Sequence, residues 1–175
     1  EQTISIVSNV FVSLNEIAER QIQEDYLLVL GAQNPRKNAA YVLKHIHEIK
    51  KRGYKLVFVY SDAENFEQNE SWSDPALIQL SYLADAVYYS LIRHAKALIY
   101  PSLYEGFGVP VLQSLCMGTP VICFKLKVFS DCFGELPIFI NDNKPQAFSE
   151  ALNQLELRHI TKEDIDRLQQ KYSLE

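Results

Sequence analysis

A glutamate and two glycines, set between an apolar run and a short helical run, could form a ligand-binding loop. In residues 101–110, Glu105 is followed by Gly106 and Gly108, and Pro110 suits the first turn of the next helix. The glycines allow tight turning and close approach to a ligand, while free N–H groups at a helix start favour negative charge. The Glu105 carboxylate suits hydroxyl groups, such as those of a sugar, better than phosphate. The alternative is a purely structural turn with a solvated Glu105, because short glycine motifs often occur without a ligand.

A second candidate is the basic pair Arg36 and Lys37, which follows Leu30 and Gly31 at the end of another apolar run. Arg36 can bind a pyrophosphate as a bidentate fork, and Lys37 can neutralise it as a point charge. The alternative is a solvated basic cap at a helix start, since surface Lys and Arg are common. A helix N-terminus disfavours cations, however, so two of them there indicate that an anion binds nearby.

The elements that must position these residues follow a strand-helix pattern. Short runs rich in β-branched and aromatic residues alternate with amphipathic stretches, and several runs are continuously apolar, as in parallel strands covered on both faces. We therefore predict an α/β, Rossmann-like three-layer domain with a parallel sheet of about six strands flanked by helices. The predicted strands are residues 3–7, 26–31, 55–60, 97–100, 120–124 and 137–140. Helices are predicted around residues 39–49, 83–95 and 110–118, and over 145–157 and 161–172, with an exposed acidic loop at 62–74.

Composition limits the class of protein. The chain has 175 residues, 47% of them hydrophobic, which is enough for one core and predicts a single domain. Asp and Glu outnumber Lys and Arg by 22 to 17, which gives no electrostatic reason to expect a nucleic-acid partner. Cys116, Cys123 and Cys132 lack metal-ligand spacing, so we expect buried reduced thiols, no metal site and a cytoplasmic location. No apolar run approaches the roughly 20 residues that span a bilayer.

Residues 100–122 as a whole resemble the signature of retaining glycosyltransferases of the two-domain B-type fold, the glycosyl transferases group 1. That family carries two glutamates separated by seven residues, the first in Glu-Gly-Phe-Gly and the second on the following helix, which ends in a Gly-Thr-Pro-Val turn. This chain matches the pattern except at the second glutamate, where Gln113 stands. The resemblance extends over residues 26–155. It includes residues 78–85, which resemble a strand and loop that contact the nucleotide base in the family, usually through main-chain groups, with Ser81 where glycine is common.

The resemblance implies a site for a nucleotide diphosphate sugar. Glu105 would contact hydroxyls of the transferred sugar, and Arg36 and Lys37 would hold the diphosphate, so these three residues are the catalytic candidates. Gln113 would occupy the ribose position, where a neutral amide lacks the charge assistance that about doubles the strength of a hydrogen bond. The other implied donor-binding residues are Gly31, Ser81, Leu83, Gly106, Phe107, Gly108 and Val109.

By the same resemblance, residues 1–175 form the C-terminal, donor-binding half of such an enzyme. The reaction would transfer a sugar to an acceptor hydroxyl with retention at the anomeric carbon, in glycan or polysaccharide synthesis, without a metal or cofactor. The acceptor and any membrane would be contacted by an N-terminal domain absent from these residues, so the chain alone would transfer nothing. Two alternatives stay open: a nucleotide-sugar-binding or regulatory module without turnover, which Gln113 favours, and a related epimerase. The donor base, the sugar and the acceptor also stay open.

Several polar and aromatic residues receive no catalytic role. Asp131 lies in residues 130–141, which resemble a loop and strand of the family, and is interpreted as a loop residue. Tyr88 and Tyr89 are interpreted as core or rim aromatics, and Tyr104 as bordering the site. The histidines are interpreted as structural: His45 and His47 on a helix without metal-ligand spacing, and His94 near a helix end.

Overall fold

Six parallel strands form one sheet in a computed structural model of the chain, which describes residues 17–60, 74–81, 83–142 and 144–172. The strands are β1 Tyr26–Leu30, β2 Lys55–Tyr60, β3 Leu77–Ser81, β4 Ala97–Tyr100, β5 Val121–Phe124 and β6 Ile138–Ile140. Their order in the sheet is β3-β2-β1-β4-β5-β6, and every neighbouring pair is parallel. The strand order therefore reverses between β1 and β4, which is the topological switch point of a doubly wound sheet.

Helices cover both faces of the sheet. They are α1 Ala39–Leu43, α2 Ile46–Lys51, α3 Asp85–His94, α4 Val109–Cys116, α5 Lys127–Phe133, α6 Pro145–Leu155 and α7 Lys162–Tyr172, with a 3₁₀ turn at Pro35–Lys37. Successive residues of β1 alternate between two cores. Leu28 belongs to the core that includes residues of α3, α4, α5 and α7, whereas Leu27 belongs to the core that includes residues of α1, α2 and α6. This alternation is why the strand is continuously apolar, and it confirms the predicted three-layer α/β fold. No helix in the described ranges is long and apolar enough to cross a bilayer.

Some predicted elements differ from the structure, and others lie outside the described residues. The predicted strand at residues 3–7 and nearly all of the predicted loop at 62–74 lie outside the described residues. The sixth strand of the described sheet is β3, which pairs with β2. Strand β3 lies at the sheet edge and is half-exposed, so it lacks the continuous apolar run of the central strands. The helical run at residues 39–49 is divided by a turn at His45, whose backbone leaves the helical region. Asp131 lies in α5, where it pairs with Lys127 at 2.6 Å, so its interpretation as a loop residue was wrong.

Sequence signals mark the ends of α4 and α7. Helix α4 starts directly after Gly108, has Pro110 in its first turn, and is followed by Gly118 with a positive φ of 80°. At α7, the Thr161 N–H donates to the Asp164 carboxylate at 3.1 Å, and the Asp164 N–H donates to the Thr161 hydroxyl at 3.2 Å. This is the reciprocal geometry of a capping box.

Candidate functional site

The two sequence motifs meet at the switch point of the sheet. The basic pair follows β1, and the Glu105 loop follows β4, the strand that pairs with β1. Because the carboxyl ends of parallel strands share one edge, the two loops leave the sheet side by side. The Leu103 N–H donates to the Arg36 carbonyl at 2.9 Å and joins them directly. The fold thus brings together catalytic candidates that lie 68 residues apart in the chain.

Arg36 and Lys37 both bind the Glu105 carboxylate, and we call these three residues the charged clamp. The same oxygen, Oε1, lies 2.7 Å from Arg36 Nη1 and 2.6 Å from Lys37 Nζ. Arg36 also donates to the Tyr104 carbonyl at 2.6 Å, while the Lys37 ammonium donates to the Tyr100 hydroxyl and lies 4.3 Å from the centre of the Tyr100 ring. Two cations share one carboxylate, so the charged clamp keeps a net charge of plus one.

Burial and charge act in opposite directions within the charged clamp. Burial raises the pKa of Glu105, but hydrogen bonds from Lys37 and Arg36 outweigh it and hold that pKa below its ordinary value. Burial lowers the pKa of Lys37, an effect that Glu105 opposes and the neighbouring Arg36 reinforces. The hydrogen bond to Glu105 raises the pKa of Arg36. Glu105 is therefore ionised at neutral pH, and its charge is compensated by contacts that an anionic ligand could replace.

Local backbone geometry explains why these loops hold their shape. The Asn34 side chain accepts a hydrogen bond from the Arg36 N–H at 3.0 Å and starts the 3₁₀ turn. Gly108 has a φ of 98°, and a Cβ there would lie 2.6 Å from Cε1 of Phe129. A side chain at position 108 would therefore be both strained and in collision with the core.

The start of α4 presents free backbone donors. The N–H groups of residues 106–109 have no acceptor within the part of the chain that the structure describes. Such groups at a helix start favour negative charge. The loop after β4 therefore offers hydrogen-bond donors next to the charged clamp.

A cavity of about 440 Å³ opens beside the charged clamp on the α3 and α4 face of the sheet. It collects side chains from the ends of β1, β2 and β4 and from the start of α3. Its described lining is Leu30, Gly31, Lys37, Val59, Tyr60, Leu83, Asp85, Tyr88, Tyr89, Tyr100 and Pro110. Polar groups converging on a largely apolar cleft are typical of a small-molecule site.

The predicted donor-binding residues divide into two groups. Gly31, Lys37 and Leu83 line the cavity, whereas Ser81, at the end of β3, and the residues of the Glu105 loop lie outside its lining. Phe107 is turned away from the cavity, and its ring packs 5.6 Å from that of Phe133 and 5.3 Å from that of Tyr172. Its side chain therefore packs against the core and does not line the cavity.

Gln113 is buried in α4, with 6% of its surface exposed. Its amide oxygen lies 3.3 Å from the Tyr88 hydroxyl, and its amide nitrogen lies 3.4 Å from the Tyr89 hydroxyl. Both contacts are long for hydrogen bonds, but together they place the amide between the two phenols. The ribose role predicted for Gln113 stays a prediction.

Sequence reasoning missed the contribution of α3 to the cavity. Asp85, Tyr88 and Tyr89 all line it, although the tyrosines were interpreted only as core or rim residues. Their positions, three and four residues after Asp85, put all three side chains on one helix face, and this spacing could have identified them. Burial raises the pKa of Tyr88 and that of Tyr100, so both phenols are neutral hydrogen-bonding groups at physiological pH.

The remaining candidates have structural surroundings. His45 is buried and its ring stacks on Phe148 at 4.4 Å, while His94 is the last residue of α3. Tyr104 is exposed next to the charged clamp. Within the described ranges, no three His, Cys, Asp or Glu side chains are grouped as metal ligands.

Comparisons with known proteins agree with this architecture. The chain is 24% identical over 160 residues to the O-antigen chain mannosyltransferase RfbU of Salmonella typhimurium, an alignment that covers 89% of this chain and 45% of that protein. It is 25% identical over 139 residues to the O-antigen chain mannosyltransferase B of Escherichia coli, covering 75% of this chain and 36% of that protein. The chain thus spans less than half the length of these relatives.

Solved structures share the fold. Sucrose-phosphate synthase from Thermosynechococcus elongatus superposes with a TM-score of 0.67 at 20% identity, over 86% of this chain and 42% of that one. TarM superposes with a TM-score of 0.65 at 15% identity, over 93% of this chain and 35% of that one. The sequence pattern of the family described as Glycosyl transferases group 1 matches residues 14–171. The chain therefore belongs to the Glycosyl transferases group 1 family.

Proposed function

We propose that this chain is the donor-binding half of a retaining glycosyltransferase, which moves a sugar from a nucleotide diphosphate sugar to an acceptor hydroxyl. The observation that carries the proposal is the meeting of Arg36, Lys37 and Glu105 beside the 440 Å³ cavity. Two cations and one carboxylate match the two chemistries of such a donor, an anionic diphosphate and a polyhydroxylated sugar.

The diphosphate is the proposed ligand of Arg36 and Lys37. Its negative charge would replace Glu105 as the partner of both cations. The loop N–H groups of residues 106–109 would complete its hydrogen bonds. As the glycosidic bond breaks, charge grows on the departing diphosphate, and fixed donors aimed at that charge lower the barrier. The proposed mechanism needs no metal ion because cations and backbone dipoles supply this stabilisation.

Glu105 is the proposed ligand of the sugar hydroxyls. In the structure its carboxylate is occupied by the two cations, so diphosphate binding would release it for hydrogen bonding to the sugar. Recognition of the two parts of the donor would then be coupled. A donor without the diphosphate would leave Glu105 engaged and bind poorly.

The relatives guide the choice of sugar and pathway. The two named above are O-antigen chain mannosyltransferases, so a mannosyl residue is the first donor sugar to test, and polysaccharide synthesis is the proposed setting. The acceptor would be bound mainly by a domain outside these 175 residues, which would also make any membrane contact. A cytoplasmic location is part of the proposal and agrees with the free thiols at Cys116, Cys123 and Cys132.

Calorimetric titration of the chain with UDP, GDP, ADP and their sugars tests the proposal. We expect one base to be preferred, with binding that weakens as salt rises because cations hold the diphosphate. Absence of binding to all of them would contradict the donor site.

A second candidate, a nucleotide-sugar-binding module without turnover, is favoured by the neutral side chain at Gln113. Both candidates predict donor binding by this chain. They differ in the full-length protein, where the enzyme hydrolyses or transfers the sugar of the bound donor and the module leaves it intact over the same time.

A further inference from the structure

The cavity has a second charged end, opposite the charged clamp. Lys37 lies after β1 and Asp85 begins α3 after β3, and both line the cavity. Strand β2 separates β1 from β3, so the ends of these strands lie about 10 Å apart, two strand spacings. A nucleotide that spans these two strand ends would place its diphosphate at Lys37 and its ribose at Asp85.

Asp85 is available to a ligand. Asp85 carries the one carboxylate among the lining residues that the structure describes. Its side chain is exposed and forms no ion pair or hydrogen bond with another described residue. An acid in the first turn also stabilises a helix, but that role does not require the side chain to face a cavity. An ionised carboxylate accepts hydrogen bonds only, which suits two neighbouring hydroxyls.

Gln113, in contrast, reaches the cavity only through other side chains. Its amide lies between the hydroxyls of Tyr88 and Tyr89, and it is not part of the cavity lining. The rings of the two tyrosines lie 5.2 Å apart in an edge-to-face arrangement, and both line the cavity. A change at position 113 would therefore act on a ligand by moving these rings.

We propose that Asp85 binds the ribose diol of the donor nucleotide, and that Gln113 is a positioning residue that holds Tyr88 and Tyr89 against the nucleoside. This proposal rests on the proposed function. Helix α4 has no carboxylate in this chain, and the proposal assigns the carboxylate that faces the ribose to Asp85 instead. The carboxylate comes from α3, across the cavity, and α4 supplies a neutral support.

The test compares ribose and dideoxyribose ligands. Wild-type chain is titrated with UDP, GDP and ADP, and the best binder is then compared with its 2′,3′-dideoxy counterpart. Asp85→Ala should weaken binding of the ribonucleotide about tenfold, the effect of losing hydrogen bonds to a charged group, and leave the dideoxy ligand within about a factor of two. Glu163→Ala, which removes an exposed acid from the first turn of α7, is the matched control and should change neither affinity.

The outcomes separate the two proposals. If wild-type chain binds none of the three nucleotides, the donor site itself fails and this inference with it. If wild-type chain binds but Asp85→Ala keeps full affinity, or loses it equally for both ligands, the ribose role of Asp85 is wrong while the donor site stands.

The role of Gln113 is tested with the same pair of ligands. In Gln113→Met the side chain keeps its length, but it cannot form hydrogen bonds with the two phenols. This change should therefore weaken the binding of the ribonucleotide and of the dideoxy ligand by the same factor. In Tyr88→Phe, where one of its partners is already missing, the same change should have a smaller effect. A loss confined to the ribonucleotide would show that Gln113 contacts the ribose directly and overturn the positioning role.

Discussion

Replacing Lys37 with Met separates the proposed phosphate-binding role of the lysine from its packing role. Met keeps an unbranched apolar stem next to Gly31, where an added Cβ would lie 3.5 Å from Lys37 Cγ, and removes only the ammonium. Glu105 keeps Arg36 as a partner at 2.7 Å, so the buried carboxylate is not left unpaired. We therefore expect a modest loss of about 1 kcal/mol in the free energy of unfolding, which lowers Tm by about 2–4 °C for a chain of this size.

The effect on nucleotide affinity should be larger. One charge-assisted contact to a phosphate contributes about 2 kcal/mol to binding. In wild type, however, Lys37 must first break its contact with Glu105, and this cost offsets part of the gain. A net loss of about 1.5 kcal/mol corresponds to roughly a 10-fold weaker Kd. The loss should appear for the nucleoside diphosphate and vanish for the corresponding nucleoside, which has no phosphate.

Isothermal titration calorimetry with both ligands measures this difference, and thermal unfolding checks that each variant is folded. Lys127→Met removes an exposed cation from α5 that is also paired with an acid, and serves as the control. Unchanged affinity of Lys37→Met for the diphosphate, or an equal loss for the nucleoside, would refute the assignment of Lys37 to the diphosphate.

Three further predictions concern stability. The pKa of Glu105 in the folded chain lies below its ordinary value, so ionised Glu105 stabilises the fold. This stabilisation is complete above the unfolded pKa of 4.5 and is lost as the pH falls through the folded pKa. In urea unfolding, the free energy of unfolding of Glu105→Gln should therefore fall less with acid than that of wild type, and an identical pH dependence would contradict this. Gly108→Ala should lower the free energy of unfolding by about 3 kcal/mol, because φ at this position is positive and the added Cβ would collide with Phe129. Gly106 has open space around it, so Gly106→Ala should lower the same free energy by under about 1 kcal/mol. Equal effects of the two changes in urea unfolding would contradict the strained geometry at Gly108. Thr161→Ala should cost about 1 kcal/mol by removing the capping box of α7, and an unchanged Tm would show that the cap does not contribute.

The fold could be predicted because its central strands are covered on both faces. A strand such as β1, buried at every position, must be apolar throughout, and this pattern survives in the sequence without any tertiary information. The edge strand β3 has one neighbour and half-exposed side chains, so its sequence is mixed and periodicity alone did not identify it. The break at His45 escaped prediction because the apolar spacing continues across it.

The charged clamp could be predicted in composition but not in its pairing. The motifs indicated Arg36 and Lys37 for an anion and Glu105 for hydroxyls, and the switch-point topology places them together. Two cations and a carboxylate that the fold brings to one site pair with each other, because buried charges are costly when unpaired. The structure accordingly shows the three residues bound to one another.

The contacts of Gln113 could not be predicted from its position in the motif. Its position in the pattern identifies the helix and the turn on which it lies, but the groups it meets come from α3, an element that precedes the motif in the chain. Tyr88 and Tyr89 contact Gln113 and line the cavity, so a side chain at position 113 touches their phenols first. Restoring a carboxylate by Gln113→Glu would therefore place a charge against two neutral hydroxyls rather than directly against a ribose. Any gain in nucleotide affinity from that change should be the same for the ribonucleotide and its dideoxy counterpart, whereas a gain confined to the ribonucleotide would return the ribose contact to α4.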